Sequence, residues 1–145
     1  MIRTHQETFD DFINGRLTKG EWTHEAHLVT CWMTLRDRTP AEALPFLRHS
    51  IKTHNCGVGT ANTAYSGYHE TLTVYYIAAV AEADAANPEE LFYEPSCGRK
   101  AALNHWKKET LFTPEARQGW VEPDVAPLPW SVAFADSVRL VTPET

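Results

Sequence analysis

Three histidines are spaced so that helices would direct them towards a common interior. His24 and His27 are three residues apart in residues 22–28 (WTHEAHL), and they precede the apolar stripe of the same segment. Side chains three or four residues apart share one face of an α-helix. His69, in residues 67–71 (GYHET), is followed by apolar residues at the same spacing. The pattern predicts buried imidazoles contributed by two helices.

Buried imidazoles at helix starts are suited to metal binding. The helix dipole disfavours added positive charge at this end, and neutral imidazole is the form that binds zinc, iron, nickel or copper. The sequence therefore predicts a metal-dependent enzyme acting on a small molecule, with one divalent transition metal ion held by His24, His27 and His69. Open coordination positions would take water or substrate.

Further side chains near the motifs complete the predicted site. The fourth ligand is left open between Glu70, Glu25, Cys31 and a water molecule, and Glu70 is the favoured acid/base group. Aromatic and amide side chains close to the histidines are the predicted substrate contacts, namely Trp22, Asn55, Asn62, Tyr65 and Tyr68.

Two alternatives to an enzyme stand beside this hypothesis. In one, a non-catalytic bundle binds a ligand or a partner protein, and the histidines serve packing and hydrogen bonding. In the other, the protein is a metal sensor with a closed coordination shell that includes Cys31. The remaining four histidines are expected on surfaces or loops, and they are His5, His49, His54 and His105.

Capping signals locate the first helices. Residues 4–7 (THQE) form a capping box, in which the threonine hydroxyl and the glutamate carboxylate accept from free N–H groups at the helix start. Residues 39–42 (TPAE) repeat this signal with a proline in the first turn. For the helix between them, both Thr18 and Thr23 are candidate starts.

The rest of the pattern predicts an all-α fold. Residues 54–67 carry three glycines and lack a helical period, so a loop is expected there before a long helix over residues 68–86. We predict a single domain, a four- to five-helix bundle with its core in residues 4–120. A Pro-rich extended tail is expected over residues 121–145, with a strand as one option at residues 138–141.

Composition limits the partners. The 13 Lys and Arg residues against 19 Asp and Glu give a net charge of −6, which argues against nucleic acid and anionic membranes. No apolar run is long enough to span a bilayer, and the polar N-terminus is unlike a signal peptide. Three widely spaced cysteines suit free thiols, so a cytoplasmic protein is expected. The sequence leaves open whether it forms a homodimer.

The two histidine motifs also carry a resemblance. Together with residues 116–124 (ARQGWVEPD), they resemble a family of small, uncharacterised bacterial helical proteins, over most of residues 9–129. No reaction is assigned to that family, so the resemblance implies a bacterial origin and a helical fold but no activity.

Overall fold

Four helices of nine residues or more form the body of the protein. A computed structural model describes residues 3–135, in which no strand occurs and the predicted all-α class is confirmed. The long helices are α1 (His5–Ile13), α2 (His24–Arg36), α3 (Pro40–Gly57) and α4 (Glu70–Ala83). Short helices α5 (Pro88–Leu91), α6 (Lys108–Leu111) and α7 (Pro114–Gln118) follow, with 3-10 turns at Lys19–Glu21, Pro95–Cys97 and Ala101–Asn104.

The helix starts follow the capping signals. Thr4 and Thr39 each accept a hydrogen bond from the backbone of the predicted glutamate three residues later, and both capping boxes are complete. The choice between Thr18 and Thr23 does not arise, because Thr18 caps the 3-10 turn and Thr23 caps α2. Two adjacent capping signals therefore separate a short turn from a long helix.

Two boundaries differ from the expectation. Helix α3 continues to Gly57, so the loop predicted from residue 54 begins only at Val58, whose N–H closes the helix end. Helix α4 begins at Glu70 and ends at Ala83, rather than spanning residues 68–86. Because glycine is well tolerated near a helix C-terminus, the prediction from glycine content ended α3 too early.

The core lies between α2, α3 and α4. Helix α4 is the most enclosed of the three, and its Val74 and Ile77 side chains are fully buried against Leu44 of α3 and Leu28 of α2. Trp106, also fully buried, extends this core beneath the C-terminal segments, where its indole N–H donates to the main-chain oxygen of Val121. Burying a large apolar side chain stabilises a fold by about 1.5–3 kcal/mol.

The Pro-rich segment lies against the helical body. Over residues 121–132 it has no regular element, and it is tied down where Val125 N–H donates to His105 O and Lys107 N–H donates to Asp124. The strand considered at residues 138–141 lies outside the described residues. None of the helices within residues 3–135 is both long and apolar enough to cross a bilayer.

Candidate functional site

The principal cavity opens between α2, α3 and α4 and measures about 660 Å³. Its walls are largely apolar, and Leu28, Leu47 and Leu72 come from three different helices. His24, His27 and His69 all line it, so the fold brings together the three histidines on which the sequence hypothesis rests. A concave, mostly apolar site with a few converging polar groups is typical of small-molecule binding.

His69 serves as the N-cap of α4. Its Nδ1 atom accepts a hydrogen bond of 3.1 Å from the N–H of Leu72, and its Nε2 atom donates to Leu111 O at 2.7 Å. A carbonyl oxygen can only accept, so the proton resides on Nε2. Burial lowers the pKa of His69 to about 4, which opposes protonation of a ring whose second nitrogen is an acceptor. Both ring nitrogens are thus engaged by the backbone.

His27 keeps one nitrogen free. Its Nδ1 atom donates to Thr23 O at 2.7 Å, within the first turn of α2, so the neutral ring presents Nε2 as an acceptor. Burial lowers the pKa of His27 to about 4 despite this hydrogen bond, so the imidazole is neutral at pH 7. Its ring lies against Trp22, with the centroids 3.8 Å apart.

His24 has the opposite arrangement of nitrogens. Its Nε2 atom donates to Cys97 O at 2.8 Å, so in the neutral ring Nδ1 is the acceptor. The ring meets the edge of Tyr76 at 5.4 Å between centroids. One cavity therefore receives two imidazoles that are each oriented by a main-chain carbonyl, and each has a second nitrogen that can accept a hydrogen bond.

The described contacts do not make a three-histidine metal centre. An ion held by all three histidines would require His69 to give up at least the hydrogen bond that its Nδ1 atom accepts from Leu72 N–H at the start of α4. Within residues 3–135 no group of three or more His, Cys, Asp or Glu side chains is arranged to hold a metal ion. Burial raises the pKa of the Cys31 thiol, which disfavours the thiolate ligand, and Glu25 is exposed. The metal centre stays a prediction.

Glu70, the predicted acid/base group, lies outside the histidine cavity. Its carboxylate forms a two-point ion pair with Arg48, at 3.0 and 2.6 Å, and accepts from the Tyr68 hydroxyl at 2.8 Å. The ion pair raises the pKa of Arg48, and burial raises that of Tyr68 well above its ordinary value. Glu70 is therefore engaged by three donors in a second cavity, which Tyr68 also lines.

The predicted substrate contacts divide between the two cavities and the surface. Trp22, Asn55 and Tyr68 line the histidine cavity. Asn62 instead organises the loop, since its Oδ1 accepts from both the Asn55 amide and the Tyr68 N–H. Tyr65 is 80% exposed and lines neither of these two cavities.

Three residues in or beside the cavity were misplaced or not singled out from the sequence. His54, expected in a loop over the site, is instead buried in α3 behind the cavity lining, with its ring 5.1 Å from that of Trp22. It continues the stripe of Leu47 and Ile51 at helical spacing, so the apolar period could have revealed it had α3 not been ended too early. Lys19 and Arg99, two exposed cations on the cavity wall, carry no such signal.

Comparisons with protein-family models, with curated proteins and with solved structures gave no match for this chain. The resemblance to small bacterial helical proteins stays a prediction.

Proposed function

We propose that the protein binds a small organic molecule in the histidine cavity, with the imidazoles of His24 and His27 accepting hydrogen bonds from it. The observation that carries this proposal is the fixed tautomer of each ring. Donation to a main-chain carbonyl leaves His27 Nε2, and Nδ1 of a neutral His24 ring, as acceptors in a cavity with largely apolar walls. An acceptor that loses water without gaining a donor costs about 1–3 kcal/mol, so the ligand must carry N–H or O–H groups.

The other residues that line the cavity restrict the chemical class of the ligand. Trp22 and Tyr76 contribute aromatic side chains to the cavity lining, which favours a ligand with an aromatic body. Lys19 and Arg99 supply positive charge on the same cavity wall, in a chain whose net charge is −6. A small aromatic acid that carries a hydroxyl or amino donor satisfies all three features.

Hydroxybenzoates test this assignment directly. We would titrate the full chain with 3- and 4-hydroxybenzoate and with the matching methoxybenzoates, which keep the ring and the carboxylate but lack the donor. Saturable binding of a hydroxy compound, at least about tenfold tighter than its ether, is expected from the loss of one buried hydrogen bond. Equal affinity for both members of each pair, or binding of neither, contradicts the proposal.

A matched pair of variants assigns the effect to His27. His27→Phe keeps a ring against Trp22 and removes the acceptor, whereas His49→Phe makes the same change at an exposed position of α3. We expect His27→Phe to abolish the preference for the hydroxy compounds and His49→Phe to retain it. Retention in both variants would rule out His27 as the acceptor.

A metal-dependent enzyme is the second candidate. It is favoured by the same two free nitrogens, which suit a metal ion as well as a donor hydrogen, since neutral imidazole is a metal ligand. Elemental analysis of untagged protein tests it, with about one metal per chain expected. His24→Phe or His27→Phe should then lose the metal and His69→Asn should retain it. Metal-free wild-type protein after growth with added zinc, iron, nickel or copper contradicts this candidate.

A further inference from the structure

A second cavity of about 580 Å³ lies beside the histidine cavity and has a different character. Tyr68 lines both cavities. The second one is lined by the charged side chains of α3, α4 and α7, which are Arg48, Lys52, Glu70 and Arg117. Three of these are cations and one is a carboxylate, so the lining carries two surplus positive charges. A positive site on a chain of net charge −6 requires an explanation.

The surplus charge resides on Lys52 and Arg117. Glu70 neutralises Arg48 through two hydrogen-bonded contacts of 3.0 and 2.6 Å. The Lys52 ammonium lies 5.3 Å from the centroid of the Tyr68 ring, and within residues 3–135 no carboxylate approaches it to ion-pair distance. A cation over an aromatic face is held in place without being neutralised.

The Arg117 guanidinium is also held in place without being neutralised. One Nη1 N–H donates to Gly67 O at 2.9 Å, and the guanidinium has no ion-pair partner in the described part of the chain. Partial burial lowers its pKa, as expected for a cation that has lost water and gained no counter-charge. Its other N–H groups are available to an anion, because guanidinium carries five donors in a rigid fork.

We propose that this second cavity binds a phosphate group, either free phosphate or a phosphate monoester, through the Arg117 guanidinium and the Lys52 ammonium. The two surplus positive charges balance the two negative charges of the dianion. The guanidinium fork matches a pair of phosphate oxygens, while ammonium binds as a point charge. The Arg48–Glu70 pair supports the cavity wall through the Tyr68 hydroxyl. The proposal is independent of the ligand in the histidine cavity.

Calorimetric titration of the full-length protein at constant ionic strength tests the proposal. The probes are inorganic phosphate, phenyl phosphate and acetate. One phosphate-type ligand per chain is expected, with acetate at least about tenfold weaker because a single negative charge leaves one cation unmatched. Phenyl phosphate that binds as tightly as inorganic phosphate or more tightly identifies a monoester site, and weaker binding of phenyl phosphate identifies a site for the free ion.

Variants show whether the two cations are responsible. Lys52→Gln and Arg117→Gln are each expected to weaken phosphate binding by about tenfold, the loss of one charge-assisted contact. Arg16→Gln removes the same charge at an exposed position that lines neither cavity and should change the affinity less than twofold. Lys52 has no hydrogen bond to another side chain in the described structure, so Lys52→Gln is expected to fold. It therefore keeps the test valid even if Arg117→Gln does not fold.

Three results overturn the proposal. The first is the absence of saturable phosphate binding. The second is acetate binding as tight as phosphate binding. The third is phosphate affinity in Lys52→Gln and Arg117→Gln within twofold of the wild type, which would assign any binding to an adventitious ion only.

Discussion

The imidazole of His69 connects the start of α4 to the end of α6, because its Nε2 atom donates to Leu111 O across 42 residues of sequence. The same ring accepts from the N–H of Leu72, so His69 replaces the usual Ser, Thr, Asp or Asn of a helix N-cap. Both bonds need the neutral Nε2–H tautomer. His69 therefore contributes to the fold only while it is unprotonated.

This dependence predicts acid sensitivity of the fold. The pKa of His69 is lowered to about 4 in the folded protein, against an ordinary value near 6.5 when unfolded. Between these values the unfolded chain binds the additional proton, so stability is complete at pH 7 and falls as the pH drops. Between pH 7 and pH 5 this residue should contribute a loss of about 2 kcal/mol to the unfolding free energy measured in urea, in addition to the loss from His27, whose pKa is also lowered to about 4.

The variant His69→Asn isolates that contribution. Asparagine is a good N-cap and does not titrate in this range, so the variant should be less stable at pH 7 but show a smaller decrease towards pH 5. His49→Asn, at an exposed position, should follow the wild-type profile. A His69→Asn profile parallel to that of the wild type would show that the acid sensitivity comes from other groups.

Helix starts were predictable from the sequence because capping is local. Thr4 and Thr39 contact partners three residues away, within the span that a sequence motif describes. The role of His69 was not predictable, since histidine is an unusual cap and its second partner is distant. The helical period correctly placed His24 and His27 on the face that lines the cavity.

The position of Glu70 shows the same limit. Its location at the start of a helix was close to the prediction, but its partner Arg48 lies on α3, 22 residues earlier. Although Glu70 follows His69 in sequence, its carboxylate lies in the other cavity because Arg48 on the neighbouring helix pairs with it. Sequence spacing alone does not reveal such pairings between helices.

Glu70→Gln should therefore behave as a stability variant. Removing one member of a buried ion pair leaves the other charge without compensation, and for this partly accessible pair we expect a loss of about 2–3 kcal/mol in unfolding free energy. Glu82→Gln, at an exposed position of α4, should change it by less than about 0.5 kcal/mol. Urea denaturation at pH 7 measures both.

A double variant separates the cost of leaving Arg48 unpaired from the contribution of the ion pair itself. Arg48→Met with Glu70→Leu removes both charges and should recover part of the loss, because no unpaired charge remains. A double variant less stable than Glu70→Gln alone would show that the pair contributes more than mutual neutralisation.

The thiols report on access to the histidine cavity. Burial raises the pKa of Cys97 to about 11 and raises that of Cys31 still further, whereas Cys56 is exposed. Because the thiolate is the reactive form, a thiol reagent at pH 8 should label one cysteine per native chain rapidly. Cys56→Ser should remove this fast phase, and all the thiols should react in denaturant. A second fast thiol that is removed by Cys31→Ser would show that the cavity wall at Cys31 opens in solution.

Gly67 lines the histidine cavity next to Tyr68 and has little tolerance for a side chain. Its φ of +79° is in the left-handed region, and an added Cβ would lie 2.4 Å from Ala61 O, which is part of the backbone. Its own carbonyl accepts from Arg117. Gly67→Ala should therefore destabilise the fold by roughly 1–3 kcal/mol and weaken phosphate binding as the loop shifts.

Gly20→Ala is the matched control, because a Cβ there meets nothing within 4 Å and the backbone is not in the left-handed region. Equal thermal stability of the two variants would show that the loop adjusts without strain, and phosphate titration of Gly67→Ala would then show whether Arg117 keeps its orientation.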